Sequence, residues 1–332
     1  MRASIPFNRK LAFNKKLGFA GVQLHDDDAV PALDKLSPSQ LVKQARTLGK
    51  RLAVHGLEAE FVAPRLWMDS RTVDGGYTSN DAACRRYAIE RSRRAIDIAN
   101  ALGTKLIVLW LAREGTYVRE SKDSRRSTEL LAEAVNALLA YDSAIRLAIE
   151  PKPNEPVDQA YLPTSGHAIA LGMLTTDPSR VGVVIESAHA ILAGLDPSDE
   201  MGFALAHGKL WSVHLNDQNG LKFDQDKSFG AVDLRRAFNQ VRILDRHGYG
   251  NRGEWVGLDV KAVRTQKAAV ATKHLSNSRA IFLRLLEISR SLPQSKIDRC
   301  IAARDYEELD LLIMQGLLGD SDGPRISGAR HL

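Results

Sequence analysis

A repeated rhythm constrains this chain more than any other feature. Seven short apolar runs recur along it, each closing in a polar cluster. They are "GVQLHDDD" (21–28), "LEAEFVA" (57–63), "KLIVLWLAREG" (105–115), "IRLAIEPKPNEP" (145–156), "VGVVIESAH" (181–189), "KLWSVHLNDQ" (209–218) and "EWVGLDVKAV" (254–263). Helical patterns lie between most of them, such as 81–101 and 124–141. Apolar runs this short, bounded by polar residues, read as buried strands. Strands alternating with helices make a parallel sheet with helices outside it. The polar clusters all fall at carboxyl ends of strands, where both open α/β sheets and (β/α)8 barrels build their sites.

Parity along the strands selects between those architectures, because residues two apart share a face. Ala148, Glu150 and Lys152 fall on one face, with Leu147 and Ile149 on the other. Ser212, His214 and Asn216 lie opposite Trp211, Val213 and Leu215, and Gly257, Asp259 and Lys261 lie opposite Leu258 and Val260. The small or polar set would fill a narrow lumen and the apolar set would meet helices. The expected fold is a TIM (β/α)8-type barrel over 1–268. Helical stretches near 268–291 and 304–318 and a polar tail form a C-terminal extension, 269–332.

The chain has 332 residues, 44% apolar and 26% charged, enough for a large buried core. No run approaches a membrane span, and the start "MRASIPFNRKLAFNKK" lacks the apolar region of a signal peptide. Cys84 and Cys300 lie far apart, so no disulfide framework is indicated and a cytoplasmic location is expected. The net charge of +6 concentrates in "RRYAIERSRR" (85–94) and "SKDSRR" (121–126), read as solvated helix faces rather than a nucleic-acid surface.

Chemistry gathers at the strand ends. Glu150, Glu186, His214 and Asp259 stand there, with His189 three residues after Glu186 and Asp224 and Asp226 in "KFDQD". Oxygen donors with a few imidazoles and no thiolate suit Mg²⁺, Mn²⁺ or Co²⁺. Five carboxylates in one barrel mouth would repel one another, and two divalent cations with Lys152 would balance them. "HDDD" (25–28) has two readings. Asp26 to Asp28 cap a helix entered at Pro31, or Asp28 orients His25 for proton transfer.

"EPKPNEP" (150–156), "LHDDDAVP" (24–31), "DGGYTSND" (74–81), "LPTSGHAIA" (162–170) and "KFDQDKSFG" (222–230) together resemble the D-xylose (glucose) isomerase family over about residues 15–268. The resemblance implies a divalent-metal aldose–ketose isomerase on a TIM barrel, forming a homo-oligomer (dimer or tetramer) that acts on a small sugar, with no nucleic-acid or membrane partner. It implies a first metal held by Glu150, Glu186 and Asp259, with His214 where the family carries aspartate. A second metal would share Glu186 and take His189, Asp224 and Asp226. Lys152 would contact substrate O1, His25 with Asp28 would assist ring opening, and Asp226 would aid proton shuttling between O1 and O2. Trp110 would wall the pocket, and Trp67 would stand at a phenylalanine position. Hydride would then shift between C1 and C2.

Departures accompany the likeness. Ala190 replaces a glutamate after the second-metal histidine, and "WLAREG" replaces "WGGREG". The family's first strand has no counterpart, because residues 4–17 read directly as a helix, which leaves a seven-stranded barrel with two unpaired edges. Isomerisation or epimerisation of another sugar, or non-catalytic sugar binding, would use the same scaffold. A nuclease of the endonuclease IV type would need a histidine-richer, three-metal set.

Overall fold

The computed structural model describes residues 5–319. Ser4 of the first expected helix and the tail from Asp320 onward lie outside the described residues. Seven parallel strands form one sheet: β1 (Gly21–His25), β2 (Glu58–Ala63), β3 (Leu106–Trp110), β5 (Arg146–Glu150), β7 (Val181–Glu186), β8 (Leu210–His214) and β9 (Trp255–Gly257). They follow one another in that order, and β1 and β9 are the two edges. A separate antiparallel ladder joins β4 (Gly115–Thr116) to β6 (Gln159–Ala160) above the barrel. The fold is a nearly closed seven-stranded TIM-type barrel lacking one strand, followed by C-terminal helices.

Twelve helices accompany the strands among the described residues. The first is α1 (Phe7–Lys16), and Asp26–Ala29 forms a single-turn α2. The flanking helices are α3 (Pro38–Val54), α4 (Ala82–Leu102), α5 (Ser124–Tyr141), α6 (Ser165–Met173), α7 (Ser187–Leu192), α8 (Pro197–Ala206) and α9 (Leu234–Arg246). Their starts are written locally. Ser37 and Gln40 make a reciprocal capping box before Pro38, and Asp81, Asp123, Thr164, Asp196 and Asp233 each cap a following helix. The extension is α10 (Lys273–Ser291), α11 (Gln294–Ala303) and α12 (Tyr306–Leu318). Helix α11 is an addition to the two helices expected from sequence.

The parity argument holds over most of the barrel. Leu147, Ile149, Val183, Ile185 and Val213 join the large core under the helices, while Phe61, Ala63, Leu106, Val108, Ala148 and Val184 form an inner cluster. Trp211 is the exception, because the β7–β8 register slips: Leu210 faces Val183 but Ser212 faces Val184. The extra residue of that bulge turns inward, so Trp211 packs on the inner cluster over Gly182 rather than meeting helices. A second slip, between β1 and β2, brings both Glu60 and Phe61 toward the lumen. Buried Glu60 accepts from Ser212 Oγ (2.5 Å) and Gln23 Nε2 (2.8 Å).

Side chains bridge the two open edges from within. The Trp255 ring lies so close over Gly21 that a Cβ there would sit 2.5 Å from it, and the Gln23 amide occupies the space a Cβ on Gly257 would need. Outside the seam, α1 and α10 flank a cavity of about 740 Å³ that reaches Gln23, Glu60 and Trp255.

The basic runs are not simply solvated faces. Arg91 is buried and ion-paired with Asp26 (Nε–Oδ2, 2.8 Å), and Arg94 donates to the carbonyls of Leu33 and Leu36. Lys122 is buried and donates to Asp74 O (2.7 Å) and Gly115 O (3.3 Å). Each cation is held by a carboxylate or by backbone carbonyls rather than left to solvent.

Candidate metal centre

Three neighbouring strands end together. Trp110 pairs in register with Glu150, and Glu186 with His214, and the carboxylates of β5 and β7 and the imidazole of β8 converge at the carboxyl ends of their strands. His214 Nδ1 lies 3.4 Å from Glu150 Oε1 and 3.9 Å from Glu186 Oε2. One turn into α7, His189 brings Nε2 within 3.3 Å of both Glu186 Oε2 and Asp224 Oδ2. Glu186 belongs to three sets of ligand atoms lying within 4.8 Å of one another: with Glu150 and His189, with His214 and Asp259, and with Asp224 and Asp226. Thus all seven residues singled out as ligands, Glu150, Glu186, His189, His214, Asp224, Asp226 and Asp259, are gathered into one cluster.

The loop after β8 is braced to deliver the two aspartates. Asp217 accepts from the backbones of Gln218, Val232 and Asp233, and its backbone pairs with Lys227. Glu155, from the proline-rich stretch, accepts from Asp224 N (2.8 Å). Lys152 Nζ donates to Asp224 Oδ2 (2.7 Å). Strand β5 ends at Glu150, so Lys152 reaches this position from the segment beyond it.

Asn216 ties the cluster together. Its Nδ2 lies 2.8 Å from Glu186 Oε1, 3.0 Å from Asp259 O and 3.3 Å from Asp226 Oδ1, while its Oδ1 accepts from Ala188 N (2.7 Å). The sequence placed Asn216 on the lumen face without a role. Its spacing, two residues beyond His214 on the same face, was the available signal.

The electrostatics fit a cation. Burial and then repulsion from Glu186, Asp259 and Asp224 push Asp226 up to about 9. Burial likewise holds Glu186 well above the usual range. Burial opposes ionisation of Glu150 as well, yet the charges of His214 and His189 bring it down to about 2. His214 Nε2 and Asp224 Oδ1 are buried without a hydrogen-bond partner among the described residues. Unpaired buried donor atoms beside mutually repelling carboxylates are what a bound divalent ion relieves. The mixed oxygen and imidazole set suits a divalent ion of the Mg²⁺, Mn²⁺, Co²⁺ or Zn²⁺ kind.

One wall of the mouth is aromatic. His25 meets Trp67 edge-on at 4.8 Å, Trp67 meets Trp110 edge-on at 4.3 Å, and Lys152 Nζ sits 5.1 Å over the Trp110 ring. Glu114 secures the loop behind that wall, accepting from the backbones of Gly76 (2.8 Å), Tyr77 (3.0 Å) and Thr78 (2.9 Å).

The "HDDD" segment follows neither sequence reading. The three aspartates lie inside α2 instead of capping a helix entered at Pro31. Asp26 is wholly buried on Arg91. Asp28 pairs with Arg65, and no hydrogen bond joins it to His25 among the described contacts. The single-turn helix places the Asp28 carboxylate half-exposed, where Arg65 reaches it.

A parallel barrel carrying a carboxylate–imidazole cluster at its strand ends defines a TIM-type barrel with a candidate metal site. The xylose isomerase-like TIM barrel family model matches residues 11–272, and the chain belongs to that family. Solved structures of similar fold include 3-keto-D-glucoside 4-epimerase from E. coli, at 15% identity and TM-score 0.64, covering 84% of this chain and 97% of that one. D-psicose 3-epimerase in the presence of D-fructose matches at 16% identity and TM-score 0.62, covering 85% and 94%. The IolI protein with a bound zinc atom matches at 15% and 0.59, covering 86% and 93%. Among the described residues no helix is long and apolar enough to cross a membrane.

Proposed function

We propose that this protein is a divalent-metal-dependent sugar isomerase that interconverts an aldose and its ketose by moving hydrogen between C1 and C2. The observation that carries the reading is the Glu186-centred cluster with Lys152 buried at its edge beside an aromatic wall. Bound ions would supply Lewis acidity and hold adjacent substrate oxygens. Glu150, Glu186, His214 and Asp259 would hold the first, and Glu186, His189, Asp224 and Asp226 the second.

The chain's own residues supply the rest. Lys152 places a cation where charge develops on a sugar oxygen. Trp67 and Trp110 present flat apolar faces to the sugar's C–H surface and exclude water from it. Burial, with Arg65 next, lowers the pKa of His25, so the imidazole is neutral near pH 7 and able to accept a proton during ring opening. Asp226 holds or releases a proton beside the substrate hydroxyls. The two epimerases among the structural matches support a second reading, epimerisation of a keto sugar on the same residues.

One experiment separates the two. The Mn²⁺-loaded protein is incubated with a panel of aldoses and ketoses in D₂O and followed by NMR. Conversion between aldose and ketose without deuterium at C1 or C2 supports hydride transfer; deuterium at an inverted carbon identifies epimerisation through proton exchange. Lys152→Met should abolish turnover, and full activity in that variant would remove Lys152 from the mechanism. No conversion of any sugar would move the protein to sugar binding without catalysis.

A further inference from the structure

The Asp224–Asp226 side of the centre differs from the Glu150–Glu186–His214 side in one respect: lysines already sit on it. Lys152 Nζ holds Asp224 Oδ2 at 2.7 Å. Lys261, two residues past Asp259 on the irregular backbone after β9, forms an ion pair with Asp226 Oδ2. The contact is built in twice, because the Lys261 backbone N–H also donates to Asp226 O (2.7 Å). Asp226 takes a left-handed backbone (φ 44°) there, and its other carboxylate oxygen faces Asn216 Nδ2. Asp226 Oδ1 thus faces Asn216 and its Oδ2 the Lys261 ammonium as an ion pair, while neither Asp226 Oδ2 nor Asp224 Oδ1 accepts a hydrogen bond among the described residues. Lys261 reaches the buried carboxylate from outside, its side chain 65% exposed while Asp226 is only 2% exposed. An ammonium on an exposed stem can leave for water without opening the barrel.

We propose that Lys261 is a tethered counter-cation of the metal centre. Its ammonium occupies the Asp226 carboxyl group where a second divalent ion would bind. One ion then binds tightly at Glu150, Glu186, His214 and Asp259, and a second enters only by displacing Lys261. This inference rests on the reading of the site as a divalent-metal centre, and it makes the second ion exchangeable instead of resident. It also sharpens the charge balance, since Lys261 joins Lys152 as a second fixed positive charge facing the five carboxylates.

Metal-stripped full-length protein is titrated with Mn²⁺ alone, without sugar, by calorimetry and by electron paramagnetic resonance, which reports coupled Mn²⁺ pairs. The wild type should bind one ion tightly and a second at least about tenfold more weakly. Lys261→Met should tighten the second site by about ten- to a hundredfold, leave the first unchanged, and bring the coupled-pair signal in at lower Mn²⁺. Lys261→Arg, which keeps the charge, should retain the weak second site. Lys261→Gln, with circular dichroism as the check on folding, replaces the methionine variant if that one does not fold. Two ions of equal affinity in the wild type, or an unchanged second site in Lys261→Met, would overturn the proposal while leaving the isomerase reading intact. Failure of the wild type to bind any Mn²⁺ would overturn both.

Discussion

The closed arc of the barrel and its open seam solve different problems with the same strand geometry. Along β5, β7 and β8, every residue of β7 is buried, and the parallel strands bring Glu150, Glu186 and His214 together at their carboxyl ends. At the seam, β9 is three half-buried residues long, and Asp259 and Lys261 follow it on irregular backbone. Strand β1 is anchored inward by Asp26 on Arg91, whereas β9 pairs only with β8. The difference teaches that three of the four candidate ligands for a first ion come from regular strand ends, while Asp259 and Lys261 come from the edge where the sheet stops.

Breaking the anchor of β1 should have the largest effect on this comparison. Asp26 accepts from Arg91 Nε and Nη2, Asp27 N and Arg65 N, all within 3.0 Å, in a wholly buried position. Asp26→Ala leaves the Arg91 guanidinium buried and unpaired, and should cost about 3–5 kcal/mol in denaturant unfolding. A loss under about 1 kcal/mol would mean that β1 is held by packing alone.

The seam itself is tested by Gly257→Val. The added atoms would meet the Gln23 amide and the carbonyl of Val213, and overpacking of this kind costs about 1–3 kcal/mol. Hydrogen exchange should quicken in β9 and β1 while β5 and β7 stay protected; uniform quickening would show that arc and seam open as one unit.

Asn216→Ala probes the joint between the two regions, since its amide links Glu186 of the arc to Asp259 of the seam. Removing a side chain that orients metal ligands should weaken Mn²⁺ affinity by about 10–100-fold with the fold retained. Asn216→Asp adds a sixth carboxylate and cannot donate when ionised, so it should not rescue affinity.

The smallest effect is on the pH dependence of stability. His25 in the fold has a pKa below its ordinary value of 6.5, chiefly through burial. The unfolded chain therefore takes up the proton first as pH falls. The resulting stability is fully present above about pH 6.5 and is lost as pH drops toward the lowered folded value. His25→Gln should make the fall in melting temperature between pH 7 and 5 shallower. An unchanged slope would place the acid sensitivity in other groups.

Much of the site could be read without coordinates. A strand fixes which residues share a face, so Glu150, Glu186, His214 and Asp259 were legible as inward-pointing strand ends, and "KFDQD" as the loop that joins them. Trp211 was misplaced because a bulge adds one residue and reverses parity, and no local pattern announced that slip. The partnerships of Asp28 with Arg65, Arg91 with Asp26, and Glu155 with the Asp224 backbone were equally hidden. Each joins segments at least 37 residues apart, and which partner wins depends on distance in the folded chain.

The sequence by itself determined the barrel, its strand and most of its helix order, and which acidic and imidazole side chains gather at the strand ends, because periodicity and strand-end position are local properties of the chain. Only the tertiary structure decided that Asn216 joins the ligands, that Lys261 covers Asp226, and that Trp255 and Gln23 bridge the open edge. Those outcomes depend on which side chains meet across the lumen, and charge, burial and space settle that only after the sheet has curled.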